Sequence, residues 1–271
     1  MLHIVGRTHP GTRGGENQDS IGWDESRQLA LVADGMGGYA GGEVASGVVK
    51  QALLGSAETL SLEEAVMDAH AKVLAAAAQH PEDAGMGSTV VMVRVADRLA
   101  KVVWVGDSRA YLWRHLELRP LTRDHSVVEV LRDAENLSET EIRSHPLRHK
   151  VIQSLGLDTP VPSADEIPLS KGDWLLLCSD GLTGELLDAE IADVLRNDGS
   201  LESAADALIN RVLASAEHDD VSVVIAEYTG PSKFGLHWNL SESAILWLSV
   251  MGGFLLAIIV AIVGWWVLQR I

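Results

Sequence analysis

The chain has 271 residues, enough to bury a sizeable core, and a formal net charge of −17 from 38 Asp and Glu against 21 Lys and Arg. That balance argues against long-range attraction to nucleic acid or anionic lipid headgroups and leaves most carboxylates as a solvated, solubilising surface. The single cysteine, Cys178, excludes an internal disulfide; within Trp174-Leu175-Leu176-Leu177-Cys178 it reads as a small buried hydrophobe. In chain order, the first seven residues lack a basic stretch followed by an apolar core, so no secretory signal is expected and a reducing compartment is permitted. Residues 29–33 read as a strand. Ser61-Leu62-Glu63-Glu64 has the form of a capping box and opens an Ala-rich helix to about His80. Strand-like runs rich in Val and Leu follow at 89–95, 101–105, 110–113 and 173–178, then an amphipathic helix at 200–216 and a strand at 222–226. The class is α+β, with no internal repeat.

Turn and breaker residues from Thr229 to Gly235 end this patterning, so the soluble domain is placed at residues 1–229 and a linker at 230–243. Residues 244–268 carry no charge. As a helix rising about 1.5 Å per residue they would reach about 37 Å, more than the roughly 30 Å of a hydrocarbon core. Trp247 near one end and Trp265-Trp266 near the other suit the two membrane interfaces. One C-terminal transmembrane helix is therefore expected. With no secretory signal and a free cysteine, the expected location is the inner (cytoplasmic) membrane, single-pass, with the domain in the cytoplasm.

Several strand-like runs end or begin at an aspartate: Ala33-Asp34-Gly35, Gly106-Asp107-Ser108, Ser179-Asp180-Gly181 and Asp219-Asp220 before Val221. One Asp-Gly is a turn signal, but a set of carboxylates at strand ends suggests a single acidic cluster at the rim of a sheet. Without lysines or arginines nearby in sequence, hard divalent cations are the natural counter-charge. Oxygen donors, and the absence of His and Cys zinc spacings, favour magnesium or manganese.

The ordered series Arg13…Asn17-Gln18-Asp19-Ser20, Asp34-Gly35-Met36-Gly37-Gly38, Gly87-Ser88-Thr89, Val105-Gly106-Asp107-Ser108-Arg109-Ala110-Tyr111, Thr122-Arg123-Asp124-His125, His145-Pro146-Leu147-Arg148, Ser179-Asp180-Gly181 and Asp219-Asp220-Val221-Ser222 resembles the motifs of bacterial PP2C phosphatases. The resemblance spans residues 5–226. It implies a four-layer α-β-β-α sandwich, two antiparallel sheets with flanking helices, and a binuclear centre for Mn2+ or Mg2+ at one end. By position, Asp34 resembles the carboxylate that bridges the metals, and Gly35 the residue whose carbonyl binds one of them. Asp180 and Asp219 resemble the other ligands of the first metal, and Asp19 a carboxylate that holds metal-bound water. Asp107, with Asp180, resembles the site of a third, weaker metal. Residues 123–165 resemble the mobile flap beside the site. Two cations would lower the pKa of a shared water for in-line attack on a phosphomonoester, with Arg13 as partner of the phosphate. The substrates implied are phosphorylated proteins, either a Ser/Thr kinase or its targets.

Four positions depart from the pattern. Arg13 stands six residues before Asp19 where five is usual; Gln18 replaces a glutamate; Met36 stands where animal members carry a histidine; Asp220 stands where asparagine is common. Register makes Asp219 the ligand, and Asp220→Asn is expected to be tolerated. A membrane-anchored phosphoprotein-binding pseudophosphatase is the rival reading, and the retained Asp34, Asp180 and Asp219 argue against it. P-loop nucleotide hydrolysis fails because no Gly-Lys-Ser/Thr follows Gly35-Met36-Gly37-Gly38.

Overall fold

The computed structural model describes residues 1–12, 15–37, 41–56, 60–79, 85–135 and 137–230. Arg13, most of the expected linker and the apolar segment 244–268 lie outside the described residues, and among those described no helix is long and apolar enough to cross a membrane. The chain opens with β1 (Leu2–His9), the hairpin of β2 (Asp19–Asp24) and β3 (Leu29–Met36), and two helices, α1 (Gly41–Ser56) and α2 (Leu62–Gln79). β4 (Gly87–Ser88), β5 (Val90–Ala96), β6 (Leu99–Val105), β7 (Arg109–Arg114) and β8 (Glu117–Pro120) lead to the helices α3 (Val127–Glu135) and α4 (Glu139–Ser144). β9 (Ser163–Pro168), β10 (Trp174–Cys178), α5 (Asp180–Glu185), α6 (Asp188–Asn197), α7 (Leu201–Leu213) and β11 (Val221–Tyr228) complete it.

The strands form two antiparallel sheets, one in the order β1-β11-β10-β7-β8 and one in the order β2-β3-β5-β6-β9, with β4 added beside β3. Side-chain alternation divides each central strand between two apolar layers. On β3, Ala30 and Val32 face the opposite sheet while Leu29, Leu31 and Ala33 pack against α1 and α2. On β10, Leu175 and Leu177 enter the layer between the sheets, and Leu176 and Cys178 enter the layer under α5, α6 and α7. β11 divides the same way, with Val224 and Ala226 inward and Val223 and Ile225 outward. Both faces are covered, so these strands read as unbroken apolar runs. Each such Val or Leu contributes about 1.5–3 kcal/mol by leaving water. The four-layer α-β-β-α sandwich is thus the observed architecture of the described residues.

Sequence patterning located the central strands and two helices to within a few residues. The capping box at Ser61 is present, with the Glu64 N–H donating to Ser61 Oγ at 3.3 Å and the Ser61 N–H to Glu64 Oε2 at 2.9 Å. The helix opened by Ser200 is shorter than expected and ends at Leu213 rather than at 216. The peripheral strands β1, β2, β8 and β9 and helix α1 carried no clear periodic signal: β1 is interrupted by Gly6 and Arg7, and α1 starts with Gly41-Gly42 and packs small residues such as Ala45 and Ser46.

Candidate active site

Antiparallel pairing brings the acidic turns together. Asp19, at the start of β2, is the register partner of Asp34, near the end of β3. Asp107 lies in the turn between β6 and β7, Asp180 opens α5 directly after β10, and Asp219 and Asp220 precede β11. Because β10 pairs with both β7 and β11, these turns share one end of the sandwich. There they surround a cavity of about 550 Å³ whose lining includes Asp34, Gly35, Asp107, Asp180, Asp219 and Asp220. Of the site residues expected from sequence, these five of the six metal positions, Asp34, Gly35, Asp107, Asp180 and Asp219, meet at the cavity, and the sixth, Asp19, is buried next to it. Arg13 lies outside the described residues.

Hydrogen bonds set the backbone around Asp34. Its N–H donates to Thr89 Oγ1 at 3.2 Å, its carbonyl accepts from the Thr89 N–H at 2.8 Å, and Thr89 Oγ1 is 2.7 Å from Ser108 Oγ. The next N–H, of Gly35, donates to the Gln18 carbonyl at 3.0 Å. A Cβ at Gly35 would lie 2.0 Å from the Gly42 carbonyl oxygen, so only glycine lets β3 run against the start of α1. Ser179, before Asp180, donates its hydroxyl to Asp19 Oδ2 at 2.7 Å and accepts the Ser222 N–H at 3.0 Å, joining the two sheets behind the acids.

The interior acids are held away from their ordinary ionisation. Burial pushes Asp19 up to about 7 against the opposing hydroxyls of Ser179 and Ser222, with the charges of Asp180 and Asp220 adding to the rise. Asp34 is raised well above the carboxylate range by burial and then by Asp19, Asp180 and Asp107. Asp107 is raised likewise, by burial first and then by Asp180 and Asp124. On the solvent side, His149 and Lys150 line the cavity, with His149 Nδ1 3.9 Å from Asp180 Oδ2. Sequence reasoning had placed the flap here through His145–Arg148 without singling out these two; their adjacency to that motif was the available signal.

Among the described residues, no three His, Cys, Asp or Glu groups stand close enough to form a coordination cage by themselves. Two observations nevertheless fit hard cations. Asp19 Oδ1 is buried without a hydrogen-bond partner, an acceptor with an unused lone pair. The donor set is all oxygen and carries a charge repulsion that a divalent ion would reverse.

An α-β-β-α sandwich that gathers carboxylates from both sheets around one cavity defines a hydrolase suited to phosphate esters. The profile of Protein phosphatase 2C matches residues 5–224. The chain therefore belongs to the protein phosphatase 2C family, the metal-dependent serine/threonine protein phosphatases. A serine/threonine phosphatase stp of Listeria welshimeri is 31% identical over 241 residues, 83% of this chain and 96% of its own. The crystal structure of the Mycobacterium tuberculosis serine/threonine phosphatase PstP/Ppp is similar with a TM-score of 0.79 at 32% identity, covering 84% of this chain and 99% of that one. The catalytic domain of serine threonine protein phosphatase PstP, solved in complex with 2 manganese ions, gives a TM-score of 0.73 at 31% identity over 83% of this chain and 97% of its own.

Proposed function

We propose that residues 1–229 hydrolyse phosphoserine and phosphothreonine in proteins modified by a Ser/Thr kinase, using water activated by two manganese or magnesium ions. The observation that carries this reading is the buried, unpartnered Asp19 Oδ1 behind a cavity walled by Asp34, Asp180 and Asp219. The relative solved with manganese supports the choice of metal. Asp34, Asp180 and Asp219, with the carbonyl of Gly35, would hold the first ion; Asp34 would be shared with the second, near Asp19, and Asp107 with Asp180 would hold a weaker third. The ions supply, when bound, the positive charge that acidifies water and meets the phosphate dianion.

The chain's own groups orient and exclude. Thr89 and Ser108 fix the Asp34 backbone, and Ser179 fixes one oxygen of Asp19. Arg13 is the proposed guanidinium for the phosphate oxygens, where its planar fork can make paired hydrogen bonds. Met36 lines the cavity, and its thioether has no proton to give the leaving serine or threonine oxygen. Added manganese should start turnover of a phosphothreonine peptide, chelator should abolish it, and calorimetry should register manganese binding to the protein without substrate. Full activity in excess chelator would sink this reading.

The apolar segment 244–268 supports a second element of the proposal, a single-pass anchor that keeps the domain at the cytoplasmic face of the inner membrane. The full chain should then sediment with membranes and residues 1–229 should not, and protease added outside intact cells should spare the domain. Cleavage of the domain from outside would refute the orientation.

A further inference from the structure

Asp220 spends both of its oxygens on one loop. Oδ1 accepts the Gly11 N–H at 2.7 Å and Oδ2 accepts the Gln18 N–H at 2.7 Å. The donors stand seven residues apart in the chain, so a single side chain ties Gly11 to Gln18. Thr12 adds a second tie: its N–H donates to the His218 carbonyl at 3.0 Å, and its hydroxyl accepts the His218 N–H at 3.0 Å. A Cβ at Gly11 would lie 2.6 Å from the Asp219 carbonyl carbon and 2.8 Å from the Asp220 nitrogen, so the loop lies directly on this segment. Gly11, Gly15, Glu16 and Gln18 in turn wall the acidic cavity, and the Gln18 carbonyl receives the N–H of Gly35.

We propose that Asp220 is a positioning residue that clasps Gly11 and Gln18 against the substrate cavity, and that the clasp requires a carboxylate. An asparagine side chain has one acceptor oxygen, and its NH2 would face a second backbone N–H, leaving that donor unpaired. The asparagine common at this position in the family is therefore not equivalent here, contrary to the expectation from sequence. The same contacts explain how adjacent aspartates divide their work. Asp219 lines the cavity with its Oδ1 accepting the Asp220 N–H at 3.0 Å, while Asp220 orders the wall.

The proposal rests on the cavity being the phosphatase site, and its test reads the loop separately from catalysis. In the metal-free full chain, amide hydrogen exchange of peptides spanning 11–18 should quicken about tenfold or more in Asp220→Asn and Asp220→Ala, the size expected for losing a hydrogen bond to a charged acceptor. Exchange there should stay unchanged in Asp219→Asn. With manganese, Asp220→Asn should raise KM for a phosphothreonine peptide about tenfold while the manganese activation constant stays within about twofold. Gly11→Ala, which lifts the loop with Asp220 intact, should reproduce the KM rise and decides the matter should Asp220→Asn fail to fold. Unchanged loop exchange in Asp220→Asn, or a manganese constant that moves while KM does not, would overturn the clasp. A wild-type chain inactive with manganese would instead overturn the phosphatase reading and leave the exchange result standing.

Discussion

Asp19 and Asp220 are carboxylates at the same end of the sandwich, each at the start of a strand, and they are solvated in opposite ways. Asp19, buried behind the cavity floor, has one oxygen bound by the Ser179 hydroxyl and the other without a partner. Asp220, at the wall, has both oxygens filled by backbone amides. A buried carboxylate with an unused lone pair is costly unless a cation arrives, whereas a saturated one already has its compensation. The floor is therefore built for an ion and the wall for geometry. At Asp19 it is the oxygen without a partner, not the mere presence of an aspartate, that suits the side chain to an ion.

The largest break in this comparison comes from emptying the floor. Asp219→Ala and Asp34→Asn should each lower manganese-dependent hydrolysis by about a thousandfold or more, since several kcal/mol of charge stabilisation disappear with the ion. Steady-state rates on a phosphothreonine peptide check this, and an active Asp219→Ala protein would mean that the register is misassigned by one residue. Metal removal is the next effect. Manganese at about a hundredfold over its dissociation constant should stabilise the fold by about 2.7 kcal/mol, read as a higher Tm, and Asp19→Asn should shrink that gain.

A pH titration sharpens the contrast without metal. The folded-state pKa of Asp19, about 7, lies above its unfolded value of 3.8, so the folded state holds the proton more tightly. Its contribution to stability is full below about 4 and fades as pH rises through about 7. Denaturant midpoints of the metal-free protein should fall across that window, less steeply in Asp19→Asn, and manganese should flatten the slope by supplying the missing counter-charge. The smallest effect should come from a site remote from both floor and wall. Ser61→Ala removes the cap of α2 and should lower Tm by only about 2–4 °C, with KM and the manganese constant unchanged.

Much of the central fold was legible because β3, β5, β6, β10 and β11 are covered on both faces and so spell themselves as apolar runs between turn residues. The edge strands β1, β2, β8 and β9 alternate less cleanly, and α1 hides its periodicity among glycines and alanines whose small size is a response to close packing. Such packing is a property of neighbours distant in sequence, as the approach of Gly35 to Gly42 and Gln18 illustrates.

The order of motifs along the chain determined by itself which aspartates to watch: each sits beside a glycine, a serine or a strand end, and those local signals depend only on backbone conformation and side-chain chemistry. What each aspartate does was decided by tertiary structure. Asp219 and Asp220 are neighbours with the same side chain, and nothing in their local sequence shows that one carboxylate would meet two N–H groups from a loop some 200 residues earlier. Hydrogen bonding and desolvation act through space over a few ångströms, so the partition between ion-holding and loop-holding carboxylates exists only once the two sheets have closed on each other.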